Sequence, residues 1–124
     1  MQAMSKKILV VDDDELVLIA LEELLKPCGY EVSTALNGQV ALEKAGEEKF
    51  DLMILDIIMP GIDGFELCRK IREMELYRTV PIIILTAKSS KEDTQKGIDA
   101  GANLFLPKPM APQRLLDLVK NSLE

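Results

Sequence analysis

The rhythm of the apolar runs constrains this chain more than any other feature. Five runs of strand length occur, at Lys7 to Val11, Glu31 to Ala35, Leu52 to Leu55, Ile82 to Leu85 and Leu104 to Leu106. Several are too continuous to be buried on one side only, so they read as strands covered on both faces. A helical pattern follows each: Glu15 to Lys26 ending before Gly29, Gly38 to Glu48, Gly64 to Met74, Lys91 to Ala100 ending at Gly101, and Pro112 to Leu123.

Strand then helix, repeated five times, specifies an α/β fold with a parallel sheet, because parallel neighbours need crossover connections and these run right-handed through helices on the sheet faces. Five units fit a doubly wound, flavodoxin-like (βα)5 sheet of order 2-1-3-4-5. A dinucleotide-binding fold wants a sixth strand and a glycine-rich first turn, and this chain has neither. The 124 residues are read as one domain, since single cores typically occupy about 100–150 residues.

Composition removes several function classes. The net charge is −6 and no Lys/Arg run exceeds Lys6-Lys7, which argues against direct nucleic-acid binding. No apolar stretch approaches the ~20 residues of a membrane span, and no signal-peptide pattern opens the chain, so a cytoplasmic location is expected. Cys28 and Cys68 lack metal or redox spacing and read as reduced thiols. Histidine is absent, which excludes His-dependent acid/base and nucleophile pairs and leaves carboxylates, lysines and hydroxyls to carry any chemistry.

Carboxylates cluster where a doubly wound sheet places its ligand crevice, at the carboxyl ends of the first and third strands. The first strand runs into Asp12-Asp13-Asp14-Glu15, and the third ends on Asp56. Asp14 and Glu15 are explained by helix capping and the helix dipole. Asp12 and Asp13 are not, because one cap needs one carboxylate and stacked like charges call for a cation. An oxygen-only ligand set with few carboxylates suits Mg²⁺.

Four segments at successive strand ends then carry a resemblance: Ile8-Leu9-Val10-Val11-Asp12-Asp13-Asp14, Leu55-Asp56-Ile57-Ile58-Met59-Pro60-Gly61-Ile62-Asp63-Gly64, Leu85-Thr86-Ala87, and Lys108-Pro109. Together they resemble the receiver domain of bacterial response regulators over nearly the whole of 1–124. The resemblance implies a phosphoacceptor switch in a two-component phosphorelay. Asp56 would accept the phosphoryl group from a phosphohistidine of a sensor histidine kinase or histidine phosphotransfer protein. Asp12 and Asp13, with Asp56 and the backbone carbonyl of Ile58, would hold Mg²⁺. Thr86 and Lys108 would bind phosphoryl oxygens, and Thr86 and Phe105 would form the switch. The Lys108-Pro109 peptide is similar to one the family holds in cis.

Read singly, Phe105 is core, Thr86 a strand-end cap and Lys108 a solvated loop lysine; their joint placement favours the chemical roles. Met59-Pro60-Gly61 and Asp63-Gly64 are read as turn and helix-start chemistry. Gly97, inside the fourth helix, is read either as loosening that helix or as permitting close packing. The fourth helix, fifth strand and fifth helix are expected to form the surface for a downstream protein partner, with a monomer or phosphorylation-dependent dimer implied. Ile58 and Lys88 beside the site point to slow self-dephosphorylation.

An aspartate-nucleophile phosphatase is the competing enzyme class. It needs a second Asp two residues after the nucleophile, where this chain has Ile58, so a switch rather than an enzyme is expected. An adaptor that has lost phosphorylation is hard to reconcile with the full set of Asp12, Asp13, Asp56, Thr86 and Lys108. Residues 1–5 read as a flexible or cloning-derived tail with Met4 a candidate natural start. The chain reads either as a stand-alone regulator or as part of a larger regulator or hybrid kinase.

Overall fold

A computed structural model describes residues 5–124. The expected tail and the Met4 start fall on residues 1–4, outside the described residues; Ser5 is exposed and precedes the first strand. Five strands and five helices alternate: β1 (Lys7–Val11), α1 (Glu15–Leu25), β2 (Glu31–Ala35), α2 (Gly38–Glu47), β3 (Leu52–Leu55), α3 (Gly64–Glu73), β4 (Ile82–Thr86), α4 (Lys91–Ala100), β5 (Leu104–Pro107) and α5 (Pro112–Leu123). The strands form one parallel sheet in the order β2-β1-β3-β4-β5, as the alternation requires.

Strand alternation divides the interior into two cores. Ile8, Val10, Leu52, Ile54, Ile83 and Leu85 point to the face covered by α1 and α5, where they meet Leu18, Leu21, Leu25, Leu115 and Val119. Leu9, Val11, Met53, Leu55, Ile82 and Ile84 point the other way, to Ala41 and Ala45 of α2, Leu67, Cys68 and Ile71 of α3, and Ala100 of α4. Both sides of the central strands must therefore be apolar, which is why β1, β3 and β4 read as unbroken runs.

The edges depart from burial on both faces. Four of the five residues of β2 and three of the four of β5 retain some exposure, because each edge strand has a neighbour on one side only. Short 3-10 turns at Lys26–Cys28 and Glu75–Tyr77 were not anticipated. The first follows from Pro27, which cannot continue the α-helical ladder, and it closes on Gly29 at φ +94°. The second is fixed by tertiary bonds: the fully buried Tyr77 hydroxyl lies 2.7 Å from the Ala45 carbonyl and 2.8 Å from that of Glu48, and accepts from Phe50 N–H at 3.3 Å. The second helix forms despite Gly46, capped by Asn37, whose side chain accepts from Val40 N–H.

Gly97 supports the close-packing reading rather than a loosened helix. A Cβ built there would lie 2.5 Å from Cδ2 of Phe105 and 3.3 Å from Cδ1 of Ile84, so α4 approaches the sheet as far as a bare backbone permits.

Candidate functional site

β1 and β3 are hydrogen-bonded neighbours with Val11 opposite Leu55, so the residues that follow, Asp12 and Asp56, leave the sheet side by side. Backbone bonds fix both exits: Asp12 N–H donates to the Ala35 carbonyl at 3.1 Å and Asp56 N–H to the Val11 carbonyl at 2.9 Å. Asp12 and Asp56 are buried at 3% and 7% exposure, while Asp13 faces solvent. One carboxylate oxygen from each of the three lies within 4.8 Å of the others.

Lys108 enters this cluster from the far side of the chain. Its Nζ donates to Oδ2 of Asp12 at 2.6 Å and to Oδ2 of Asp56 at 3.2 Å. The loop after β5 delivers it: Lys108 N–H donates to the Thr86 carbonyl at 2.9 Å, and the Lys108-Pro109 peptide is cis, as the resemblance implies. The remaining oxygens have partners too, with Asp12 Oδ1 accepting from Asp14 N–H at 2.9 Å and Asp56 Oδ1 from Ile57 N–H at 2.7 Å.

Three carboxylates against one ammonium leave two negative charges in a half-enclosed pocket. Burial, helped by the charge of Asp56, holds the Asp12 carboxyl above the ordinary carboxylate range despite its bond to Lys108. Burial works to lower the Lys108 ammonium, but Asp12 and Asp56 outweigh it and the group is raised. The two directions are compatible because Asp12 is the more deeply buried partner and also faces a like charge. A small oxygen-loving divalent cation fits this donor set: it balances the two residual charges and needs neither His nor Cys.

Thr86 ends β4, fully buried, and its Oγ1 accepts from Lys88 N–H at 3.2 Å. Phe105 is half-buried in β5 opposite Ile84, two rungs from the Thr86–Pro107 pair, so period-two alternation puts Thr86 and the Phe105 ring on one face of the sheet. Ile58 sits two residues beyond Asp56 with its side chain 57% exposed. Lys88 extends its ammonium to within 3.8 Å of Asp93 in the first turn of α4. Asp14 caps α1 by accepting from Leu16 N–H at 2.9 Å, the structural role expected for it.

Two contributors lay beyond the sequence reading. A Cβ on Gly64 would overlap the Asp56 carbonyl oxygen and approach Ile57 Cα to 2.7 Å, so this glycine lets α3 start directly against the Asp56 backbone. Its only sequence signal is its place after Asp63, the α3 N-cap. Arg72 uses all five guanidinium N–H groups on the carbonyls of Gly101, Tyr77 and Val80 and the side chain of Asn103, joining α3 to the turns flanking β4 and α4. Its acceptors are mostly backbone oxygens, which leave no trace in sequence.

Residues 8–120 match the response regulator receiver domain family. The chain belongs to that family. It is 43% identical over 117 residues to the alkaline phosphatase synthesis transcriptional regulatory protein PhoP of Bacillus subtilis, a match covering 94% of this chain and 48% of that protein. Among solved structures it is similar to the chemotaxis protein CheY4 of Vibrio cholerae, with 38% identity, TM-score 0.93, and coverage of 97% of this chain and 100% of that one. It is also similar to the receiver domain of the sensor histidine kinase PA1611 of Pseudomonas aeruginosa, with 31% identity, TM-score 0.89, and coverage of 97% and 98%; that structure holds a magnesium ion coordinated in the active site cleft. The chain spans about half the length of PhoP. As a receiver domain it is a phosphoacceptor signalling switch of the two-component type rather than a classical enzyme, and the acidic pocket at which such domains bind Mg²⁺ is represented by its aspartate cluster. Among the described residues, no helix is long and apolar enough to cross a membrane.

Proposed function

We propose that Asp56 is the phosphoacceptor, taking the phosphoryl group from a phosphohistidine of a sensor histidine kinase or a histidine phosphotransfer protein. The observation that carries this reading is the bridge from Lys108 to both Asp12 and Asp56, with Asp13 at the mouth. A carboxylate oxygen of Asp56 bonds to phosphorus as the phosphorus–nitrogen bond of the donor breaks, and the imidazole departs with the electron pair. The Ile57 N–H holds Asp56 Oδ1 in place, and Lys108 offers a fixed positive charge to the phosphoryl oxygens.

Mg²⁺, held by Asp12, Asp13, Asp56 and the Ile58 carbonyl, would neutralise charge between the anionic donor and the anionic acceptor. The magnesium in the PA1611 receiver domain supports this assignment. The same residues allow self-phosphorylation from small donors. Self-dephosphorylation is slow, because apolar Ile58 orients no water and Lys88, on leaving Asp93, would shield the phosphoryl group.

The acyl phosphate adds acceptor oxygens that draw the Thr86 hydroxyl from its bond with Lys88 N–H, and Phe105 turns into the space vacated. The face built by α4, β5 and α5 then binds the downstream protein, as a monomer or a phosphorylation-dependent dimer. Incubation with a small-molecule phosphodonor and Mg²⁺, followed by intact mass, tests the reading. Wild type gains one phosphoryl mass and Asp56→Asn does not; equal labelling of both moves the site elsewhere.

A further inference from the structure

The notch at Gly97 has a consequence for the switch. Gly97 is buried in α4, in ordinary helical geometry, and is hemmed in by the Phe105 ring: a built Cβ lies 2.5 Å from Cδ2, 2.9 Å from Cε2 and 3.3 Å from Ile84 Cδ1. Its backbone demands no glycine, so what the missing side chain provides is room for the ring. Ile84 is the cross-strand partner of Phe105 and also faces the notch, so helix and sheet together shape the seat in which the ring lies.

We propose that Gly97 is a positioning residue that holds Phe105 in the resting conformation, so that filling the notch shifts the domain toward the conformation that binds a phosphoryl group. The inference rests on the reading of Thr86 and Phe105 as the switch pair. A seat that stabilises only the resting ring position biases the equilibrium toward rest, and its loss transfers population to the conformer in which the ring has left. The atoms that an alanine methyl would meet belong to the half-buried Phe105 ring, so the ring itself must move to make room.

Affinity for beryllofluoride with Mg²⁺, an analogue of the phosphoryl group, tests this in wild type, Gly97→Ala, Phe105→Ala and the double variant. Gly97→Ala is expected to bind on the order of tenfold more tightly than wild type, given typical overpacking costs. The gain should vanish in the Phe105→Ala background, where no ring needs a seat. An unchanged affinity in folded Gly97→Ala, or the same gain with and without the ring, overturns the proposal; the latter would reflect only better helix propensity.

Wild-type protein supplies a readout that needs no variant at position 97. Proton contacts between Gly97 Hα and the Phe105 ring in the nuclear Overhauser spectrum should be present at rest and lost with beryllofluoride. Their persistence in the bound state overturns the notch while leaving the phosphoacceptor reading intact. Failure of wild type to bind beryllofluoride at all overturns that reading first, and the notch with it.

Discussion

Lys108 and Asp12 stand 96 positions apart in the chain and 2.6 Å apart in space, an ion pair that joins the carboxyl ends of β5 and β1 across the two strands between them. The same ammonium reaches Asp56 at 3.2 Å, so one cation restrains two buried carboxylates. Lys108→Met should slow labelling of Asp56 from a small phosphodonor by on the order of a hundredfold, the usual effect of losing a preorganised charge contact at developing anionic oxygens. Single-turnover labelling rates followed by intact mass check this; a rate within a factor of two of wild type would remove Lys108 from the chemistry.

Asp13 is the exposed member of the carboxylate trio and makes no hydrogen bond to a protein group among the described residues, so its charge mainly repels its neighbours. At a separation of no more than 4.8 Å in a water-like dielectric one such repulsion costs roughly 1 kcal/mol. Asp13→Asn should therefore raise Tm by about 3–6 °C without Mg²⁺, and lose most of the Tm increase that Mg²⁺ gives wild type. Thermal melts with and without Mg²⁺ read both effects, and an undiminished Mg²⁺ response would place the cation elsewhere.

Arg72 has every guanidinium donor engaged on the far side of the sheet from α1 and α5. Arg72→Ala leaves several acceptors unpaired and should cost about 2–4 kcal/mol, lowering Tm by roughly 10–15 °C. Arg72→Lys should recover only part of this, since an ammonium cannot reproduce the planar fork. Equal stability of wild type and Arg72→Lys in denaturant titrations would contradict the account.

How far the fold was legible follows from which signals are local. Apolar periodicity located every strand and helix, because Ile8/Val10 and Leu9/Val11 must serve two cores at once. The trio Asp12, Asp13 and Asp56 was legible because like charges gathered at neighbouring strand ends have no structural use without a counter-charge. The Glu75–Tyr77 turn and the Arg72 hub were not, since both depend on backbone carbonyls from distant segments, Ala45 and Glu48 for the first and Gly101 for the second. Gly64 was read only as a helix start because its close approach to the Asp56 backbone arises after the chain has folded back on itself.

Burial pushes the Cys68 thiol up to about 11, whereas Cys28 is exposed. Because the folded value lies above the ordinary 9.0, Cys68 favours the folded state up to that pH, and its contribution fades as pH climbs toward about 11. At pH 8 an aromatic disulfide reagent should titrate one thiol rapidly in native protein and two in denaturant. Two fast thiols in native protein would show that the α3 face is open.

Locating the acyl phosphate chemically is the most direct test of Asp56 as the acceptor. Borohydride reduces an aspartyl phosphate to homoserine, so protein treated with phosphodonor and Mg²⁺, reduced and digested should carry homoserine in place of Asp56 and an intact aspartate at positions 12, 13 and 51. Reduction at any of those three positions, or a labelled protein with an unaltered Asp56, would contradict the account.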